Sequence, residues 1–400
     1  MPADRAVGAV RFRLARLWDW ATWRCWNAAF RLLNIWSLRR RQAGPPATPR
    51  QALLIHTLRV GDTIVITPLV AALKRRFPDC AVDLVTSAAG REVVAENPHL
   101  RRVLVFDGSA AGATTLVAEL RGRGYDLAID LNNGFAGARR ELLALRSGAR
   151  RRISFRRRGY RAARPTDEVD YRYIHAVDVF LLPLAALGID PGSVDRRYTL
   201  YLSAVERQWA RETLAAHGLA KPLILLNPST LEPTKRWPAE RFAWVADELV
   251  RKQGASVLIT AAPEEWALAD AVATLMRERC VSLAGRTTLR QYFALIAASD
   301  LVLSVDTAAV HAAQAFGVPV VALFNPVTHS SWRPLEPSAG IALVGDAGCP
   351  RCWRESPGGL AAWRMRCLHD PPACLAAIRR ETVLDACRRL LASARGTQPR

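Results

Sequence analysis

The sequence predicts an α/β protein: two domains in series, each a doubly wound parallel sheet, preceded by an amphipathic helix. Three observations carry this. Apolar strand-like runs alternate with amphipathic stretches at helical spacing, the pattern of parallel strands covered on both faces. The alternation lapses near residue 148 and restarts at Lys221. The chain's 400 residues exceed what one ordinary core holds. The expected division is 1–50 for the helix and a linker, 51–205 for the first domain and 206–400 for the second.

Residues 10–41 place Arg13, Arg16, Arg24, Asn27, Arg31 and Asn34 on one helical face. Leu14, Trp18, Ala21, Cys25, Ala28, Leu32 and Trp36 take the other. Five of the chain's twelve Trp fall here, and Trp with Arg suits the rim of an anionic bilayer. The segment therefore reads as an in-plane membrane anchor or, alternatively, as an extra helix packed on the body. "QAGPPATPRQ" (Gln42–Gln51) then breaks the helix.

In the first domain the predicted strands are 52–57, 81–87, 101–107 and 125–131, with helices 68–77, 89–97, 111–123 and 135–147 between and after them. Thr67-Pro68 reads as an N-cap followed by proline at the first helical position. Residues 148–205 are irregular and strongly basic, either a solvated loop or an anion-binding surface. In the second domain "PLILLNP", "ASVLITAA", "CVSLAG", "LVLSVD" and "PVVALF" are strands, and helices follow the first four.

Half the residues are hydrophobic, which excludes a disordered chain. A formal net charge of +20 points to an anionic partner: nucleic acid, an anionic membrane or a phosphorylated substrate. The chain carries no continuous signal-peptide core and no uncharged apolar run long enough to span a bilayer. With eight Cys and no such signal, a reducing cytoplasmic setting is expected.

Ligands of doubly wound sheets sit beyond the carboxyl ends of the strands. Four polar groups fall there. Asp62 follows Gly61 after the first strand, and Gly61 offers a turn with no side chain in the way. "NPSTLEPTKRWP" follows the strand at 223–227: Lys235 is suited to neutralise a phosphate, with Ser229 or Thr230 donating hydrogen bonds. "APEEW" offers Glu264 and Glu265, either of which suits the two hydroxyls of a ribose. "SVDTAAVHAA" ends a strand at Asp306 and starts a helix at Thr307. The N–H groups of Thr307, Ala308 and Ala309, with the helix dipole, suit a diphosphate, and His311 shares a face with Thr307. GxGxxG after a strand, GxxxxGK[ST] and Asp-x-Asp are all missing, which argues against dehydrogenase, P-loop and that type of metal chemistry. Cys349 and Cys352 have zinc-knuckle spacing, whereas Cys367 and Cys374, with six residues between, do not. No cofactor is expected, and unligated thiols are favoured over structural zinc.

"GD" after the first strand, "KRWP" and "DTAAVHAA…GVPVVALF" resemble the motifs of glycosyltransferase family 9, the ADP-heptose lipopolysaccharide heptosyltransferases and relatives. The similarity runs over roughly 52–390. It implies a GT-B fold, two Rossmann-like domains facing a cleft, acceptor-binding first and nucleotide-sugar-binding second, and inverting, metal-independent transfer. It implies that Asp62 is the general base, that Lys235 contacts donor phosphate, that Glu264 or Glu265 contacts ribose, that Asp306 contacts the sugar and that Thr307 lies by the diphosphate. The chain departs from the family at Ala308, where the usual residue is Gly.

The function expected is heptose transfer from ADP-heptose to a lipid A-linked lipopolysaccharide core acceptor at the cytoplasmic face of the inner membrane. Gly61, Arg151, Arg152 and Arg156 are the acceptor-side candidates. Alternatives are a family 9 transferase with another nucleotide sugar or acceptor, and a basic, membrane-associated nucleic-acid-binding protein. The two-faced pattern of residues 10–41 suits a bilayer better than nucleic acid, so no nucleic-acid partner is expected.

Overall fold

A computed structural model describes residues 48–132, 143–156, 166–170, 172–335, 340–349, 367, 369 and 372–396. The expected helix at 10–41 lies outside them. Two six-stranded, wholly parallel sheets are present among them. The first has the order β3-β2-β1-β4-β5-β6, with β1 Gln51–Ile55, β2 Ala81–Thr86, β3 Arg102–Val105, β4 Leu127–Asp130, β5 Arg151–Phe155 and β6 Asp167–Val169. The second has the order β12-β11-β10-β7-β8-β9, with β7 Leu223–Asn227, β8 Ser256–Ile259, β9 Val281–Ser282, β10 Leu301–Val305, β11 Val320–Phe324 and β12 Gly340–Val344. Every residue of β4, β7, β10 and β11 is buried, as expected of strands covered on both faces.

The described chain forms two compact units, and these cut across the linear division at residue 205. Unit 1 holds the first sheet; unit 2 holds the second sheet together with residues 58–76 and 87–99. In unit 1, helix Ala110–Arg121 buries Ala113, Leu116, Val117 and Leu120 with Leu53, Ile55 and Val85 of the sheet. In unit 2, helices Ala239–Gln253 and Arg380–Gly396 bury Phe242, Val245, Leu249, Val383 and Leu384 with β7, β8 and β10. Helix Ala239–Gln253 ends at Gly254 with φ +63°, the left-handed cap that glycine supplies without penalty.

The basic stretch after 148 is more regular than its sequence suggests. It contains β5, β6 and helix Ala176–Leu181, because Ile153 and Phe155 bury in the sheet while Arg151 and Arg152 before them stay half-buried. Arg151 donates to both carboxylate oxygens of Asp167 at 3.0 and 3.1 Å. Arg156 lies 3.2 Å from both Glu168 and Asp170, and Arg152 donates to the Ala149 carbonyl at 3.2 Å. Two of the three acceptor-side arginines thus have their charge balanced by carboxylates of β6 or the residue after it.

The polar break after β1 is itself a helix, Val60–Val65, followed directly by Thr67–Arg76. Thr67 is therefore not an N-cap. Pro68 has no N–H to give to the Ile64 carbonyl, and the Thr67 hydroxyl donates to it instead at 2.7 Å.

Candidate active site

The candidate site lies in unit 2, at the carboxyl ends of β7 and β10. These strands are neighbours at the point where the strand order reverses, the usual ligand position of such a sheet. Asn227 closes β7 and donates its amide to Thr307 Oγ1 at 3.0 Å, which ties the two strand ends together. Asn227 had no functional reading in the sequence; a polar residue ending the apolar run "LILLN" was its only signal.

Lys235 ends a short 3-10 turn, Pro233–Lys235, in the loop after β7. Its ammonium sits 2.8 Å from Asp306 Oδ2, with 18% of the lysine side chain and 6% of the aspartate side chain exposed. The contact is an ion pair without the alignment of a hydrogen bond, so Oδ2 keeps a free acceptor direction. Thr307 caps helix Ala308–Ala315, its hydroxyl accepting from Ala309 N–H at 3.3 Å. The cap thus uses one of the three N–H groups expected to face an anion, and Thr307 Oγ1 is a structural hub rather than an idle donor.

Asp62 stands in the first turn of helix Val60–Val65, half-buried. Its carboxylate accepts from the N–H of Arg59, so it also serves as a helix cap. Burial raises its pKa from 3.8 to about 6, against the opposing pull of the Arg59 N–H and of the Arg59 and Lys235 charges. Arg59, which the sequence left unassigned, has a guanidinium 66% exposed and 3.5 Å from Glu232 in the loop after β7.

Gly61 does not serve a turn: it is helical. Its role is close approach. A Cβ there would come within 3.3 Å of His311 Cδ2 and 3.6 Å of Ala308 Cα. This contact explains why residues 58–76 group with the second sheet, and it sets Asp62 in the same unit as Lys235 and Asp306.

His311 is 3% exposed, below the open end of its helix. Tyr198 meets its ring edge-on with centroids 5.6 Å apart, and Trp332 lies at 5.7 Å. Burial lowers its pKa from 6.5 to about 4, with Asp306 opposing, so the ring is neutral at physiological pH.

Ser229 is fully buried and donates to the Glu265 carbonyl at 3.3 Å. Thr230 is buried and its hydroxyl accepts from Glu232 N–H at 3.1 Å. Both are turned to holding their own loop. The two glutamates separate clearly: Glu264 is exposed, whereas Glu265 is half-buried and accepts from the Leu231 backbone. Burial raises the Glu265 carboxyl above its usual range, and the neighbouring Glu264 adds to this. Next to it a cavity of about 290 Å³ is lined by Pro263, Trp266, Asp270, Ala284, Gly285 and Arg286. Trp266, 55% exposed, is a further residue with no sequence signal, because an exposed aromatic reads like a core one.

Among the described residues no group of three or more His, Cys, Asp or Glu is arranged to hold a metal. Cys349 Sγ lies 3.9 Å from His369 Nε2, and Cys367 Sγ accepts from the His369 N–H at 3.5 Å. Cys374 is half-buried, and Cys352 lies outside the described residues.

Comparison with known proteins agrees with this architecture. The family model described as glycosyltransferase family 9 (heptosyltransferase) matches residues 113–357. Lipopolysaccharide heptosyltransferase 3 of Escherichia coli is 29% identical over 290 residues, 68% of this chain and 82% of its own length. Lipooligosaccharide heptosyltransferase 2 of Haemophilus ducreyi is 26% identical, over 74% of this chain and 89% of its own length. Among solved structures, a glycosyl transferase family 9 protein from Veillonella parvula superposes with a TM-score of 0.73 at 24% identity, over 86% of this chain and 97% of that one. E. coli ADP-heptose lps heptosyltransferase II gives 0.68 at 22% identity, over 86% and 99%. The structural likeness establishes the GT-B fold. On the family match, spanning more than half its length, the chain belongs to glycosyltransferase family 9 and is a glycosyltransferase.

Proposed function

We propose that this enzyme transfers heptose from ADP-heptose to a lipid A-linked lipopolysaccharide core acceptor, with inversion and without a metal. The observation that carries the chemistry is Asp62: a half-buried carboxyl with its pKa raised to about 6, in one compact unit with the Lys235–Asp306 pair. Such a carboxyl is ionised at neutral pH yet more basic than a free one, which suits a general base. Asp62 takes the proton of the acceptor hydroxyl as its oxygen bonds to the anomeric carbon. The bond from that carbon to the diphosphate breaks, and the electron pair leaves with ADP. Lys235 and the N-terminus of helix Ala308–Ala315 stabilise the departing charge. Asp306 faces a sugar hydroxyl, Glu265 the ribose, and the cavity beside Trp266 the base.

The donor and acceptor follow the names borne by the relatives. Phosphate on the acceptor is met by Arg151, Arg152 and Arg156, in competition with Asp167 and Glu168. Residues 10–41 hold the enzyme at the cytoplasmic surface of the inner membrane. None of the helices in the described residues is long and apolar enough to cross a membrane. The test is ADP release by the purified full chain, supplied with ADP-heptose and truncated core acceptors. ADP release that depends on an acceptor supports the reading; none with any truncated core removes this donor from it. NMR of the product against the donor decides between inversion and retention at the anomeric carbon.

A further inference from the structure

The carboxylate assigned as base and the groups assigned to the donor come from segments far apart in sequence, and packing between two helices joins them. Helix Val60–Val65 carries Asp62 and packs on helix Ala308–Ala315. A residue without a side chain lies at close approach there: Gly61 faces His311 Cδ2 and Ala308, at 3.3 Å and 3.6 Å from the position of a Cβ. Glycine here allows the two helix backbones to approach closely. His311 in turn is gripped from elsewhere in unit 2, by Tyr198 edge-on and by Trp332. Its Nδ1 is buried with no hydrogen-bond partner. The ring's contacts with Gly61, Tyr198 and Trp332 are thus contacts of shape, made by the faces and edge of the imidazole.

We propose that His311 is a positioning residue: its ring is the seat on which the Gly61 backbone rests, and that seat holds Asp62 at the start of the helix that carries Thr307. His311 acts on the reaction through Asp62 and touches neither the donor nor the reacting atoms. The inference rests on the reading of Asp62 as base, and its test separates the two.

The test uses the full chain with ADP-heptose and acceptor, and follows kcat and donor KM separately. His311→Phe, which keeps a ring and drops both nitrogens, is expected to retain kcat within about threefold; His311→Asn, which keeps a nitrogen and drops the ring, is expected to lose about tenfold or more. Donor KM stays within about threefold in both, because differential loss in kcat marks an effect on the transition state alone. Gly61→Ala alone is expected to lower kcat, and combining it with His311→Ala to recover part of the loss, the new methyl filling space the ring vacates. A second readout needs no turnover: amide hydrogen exchange over residues 60–66 is expected to speed up about tenfold in His311→Asn and to stay unchanged in His311→Phe. The proposal is overturned by an active His311→Asn beside an inactive His311→Phe, by multiplying losses in the double variant, or by unchanged exchange over 60–66 in His311→Asn. Undiminished turnover by Asp62→Asn instead removes the base assignment and leaves the exchange result to decide the seat.

Discussion

At the scale of the residue, Asp62 combines two duties that pull apart. As a cap it accepts from Arg59 N–H; as a base it is kept short of water, and its pKa rises from 3.8 to about 6. Turnover is therefore expected to rise with pH through about 6, as the carboxyl ionises, in a kcat/KM profile. A folded carboxyl that titrates above its unfolded value weakens the fold once the unfolded chain ionises. The penalty is absent well below 3.8, grows between 3.8 and about 6 and is complete above that. Asp62→Asn removes it. This variant is expected to lose turnover by about two orders of magnitude or more, yet to melt higher at pH 7.5 by roughly 1–2 kcal/mol of stability. At pH 3.5 the gain disappears, and scanning calorimetry at the two pH values checks it. A fall in melting temperature at pH 7.5 would make Asp62 chiefly a cap. Lys235→Ala is expected to weaken donor binding at least about tenfold by titration calorimetry. It also strands the buried Asp306 carboxylate at a cost of about 1–3 kcal/mol. Adding Asp306→Asn is expected to recover that stability while leaving donor binding weak.

At the scale of the element, one arginine joins helices of unit 2 that the sheet does not link directly. Arg290, on helix Leu289–Ala298, forks onto both Glu206 carboxylate oxygens at 2.6 and 2.7 Å. It also donates to the Tyr201 carbonyl at 2.6 Å and to the Glu92 carbonyl at 3.0 Å. Glu206 is the third helical residue of Ala204–Ala216 and completes a capping box with Ser203. Arg290 therefore ties helices Ala88–Val93 and Ala204–Ala216 to its own. Arg290→Met is expected to cost about 2–4 kcal/mol in a denaturant melt, and Arg290→Lys more than half of that, since an ammonium cannot reproduce the fork. A cost within about 0.5 kcal/mol would mean that these bonds are exchanged for water without loss. Most elements were legible in the sequence, because strands such as β7 and β10 are continuous apolar runs and helices such as Leu289–Ala298 carry their capping box, Thr288 and Gln291, in the sequence. Three strands were not: β5 and β6 hide under arginines whose partners are carboxylates about 16 positions away in the case of Arg151, and β12 is a half-exposed edge.

At the scale of the whole molecule, the two units differ in what they demand of an anionic partner. Unit 2 offers Lys235 and a helix start to a donor, while two of the unit 1 arginines offered to an acceptor, Arg151 and Arg156, are already shared with carboxylates. Residues 10–41 are basic and Trp-rich in sequence. Deleting residues 1–45 is expected to abolish co-sedimentation with anionic liposomes while leaving turnover of a short soluble acceptor within about threefold. Unchanged liposome binding would move the membrane contact to the folded body.

The sequence by itself determined the α/β class, nine of the twelve strands among the described residues, and the placement of Asp62, Lys235, Glu264, Glu265 and Asp306 after strand ends. These follow from local periodicity and from the rule that the loops at the carboxyl edge carry the chemistry. Only the tertiary structure decided which side chains meet. It turned Gly61 from a turn residue into a close-approach surface, withdrew His311 beneath its helix, chose Glu265 over Glu264 for burial and gathered Asp62 with Lys235. Each of those outcomes depends on contacts across more than thirty residues of chain, and periodicity within one element carries no record of what the element will touch.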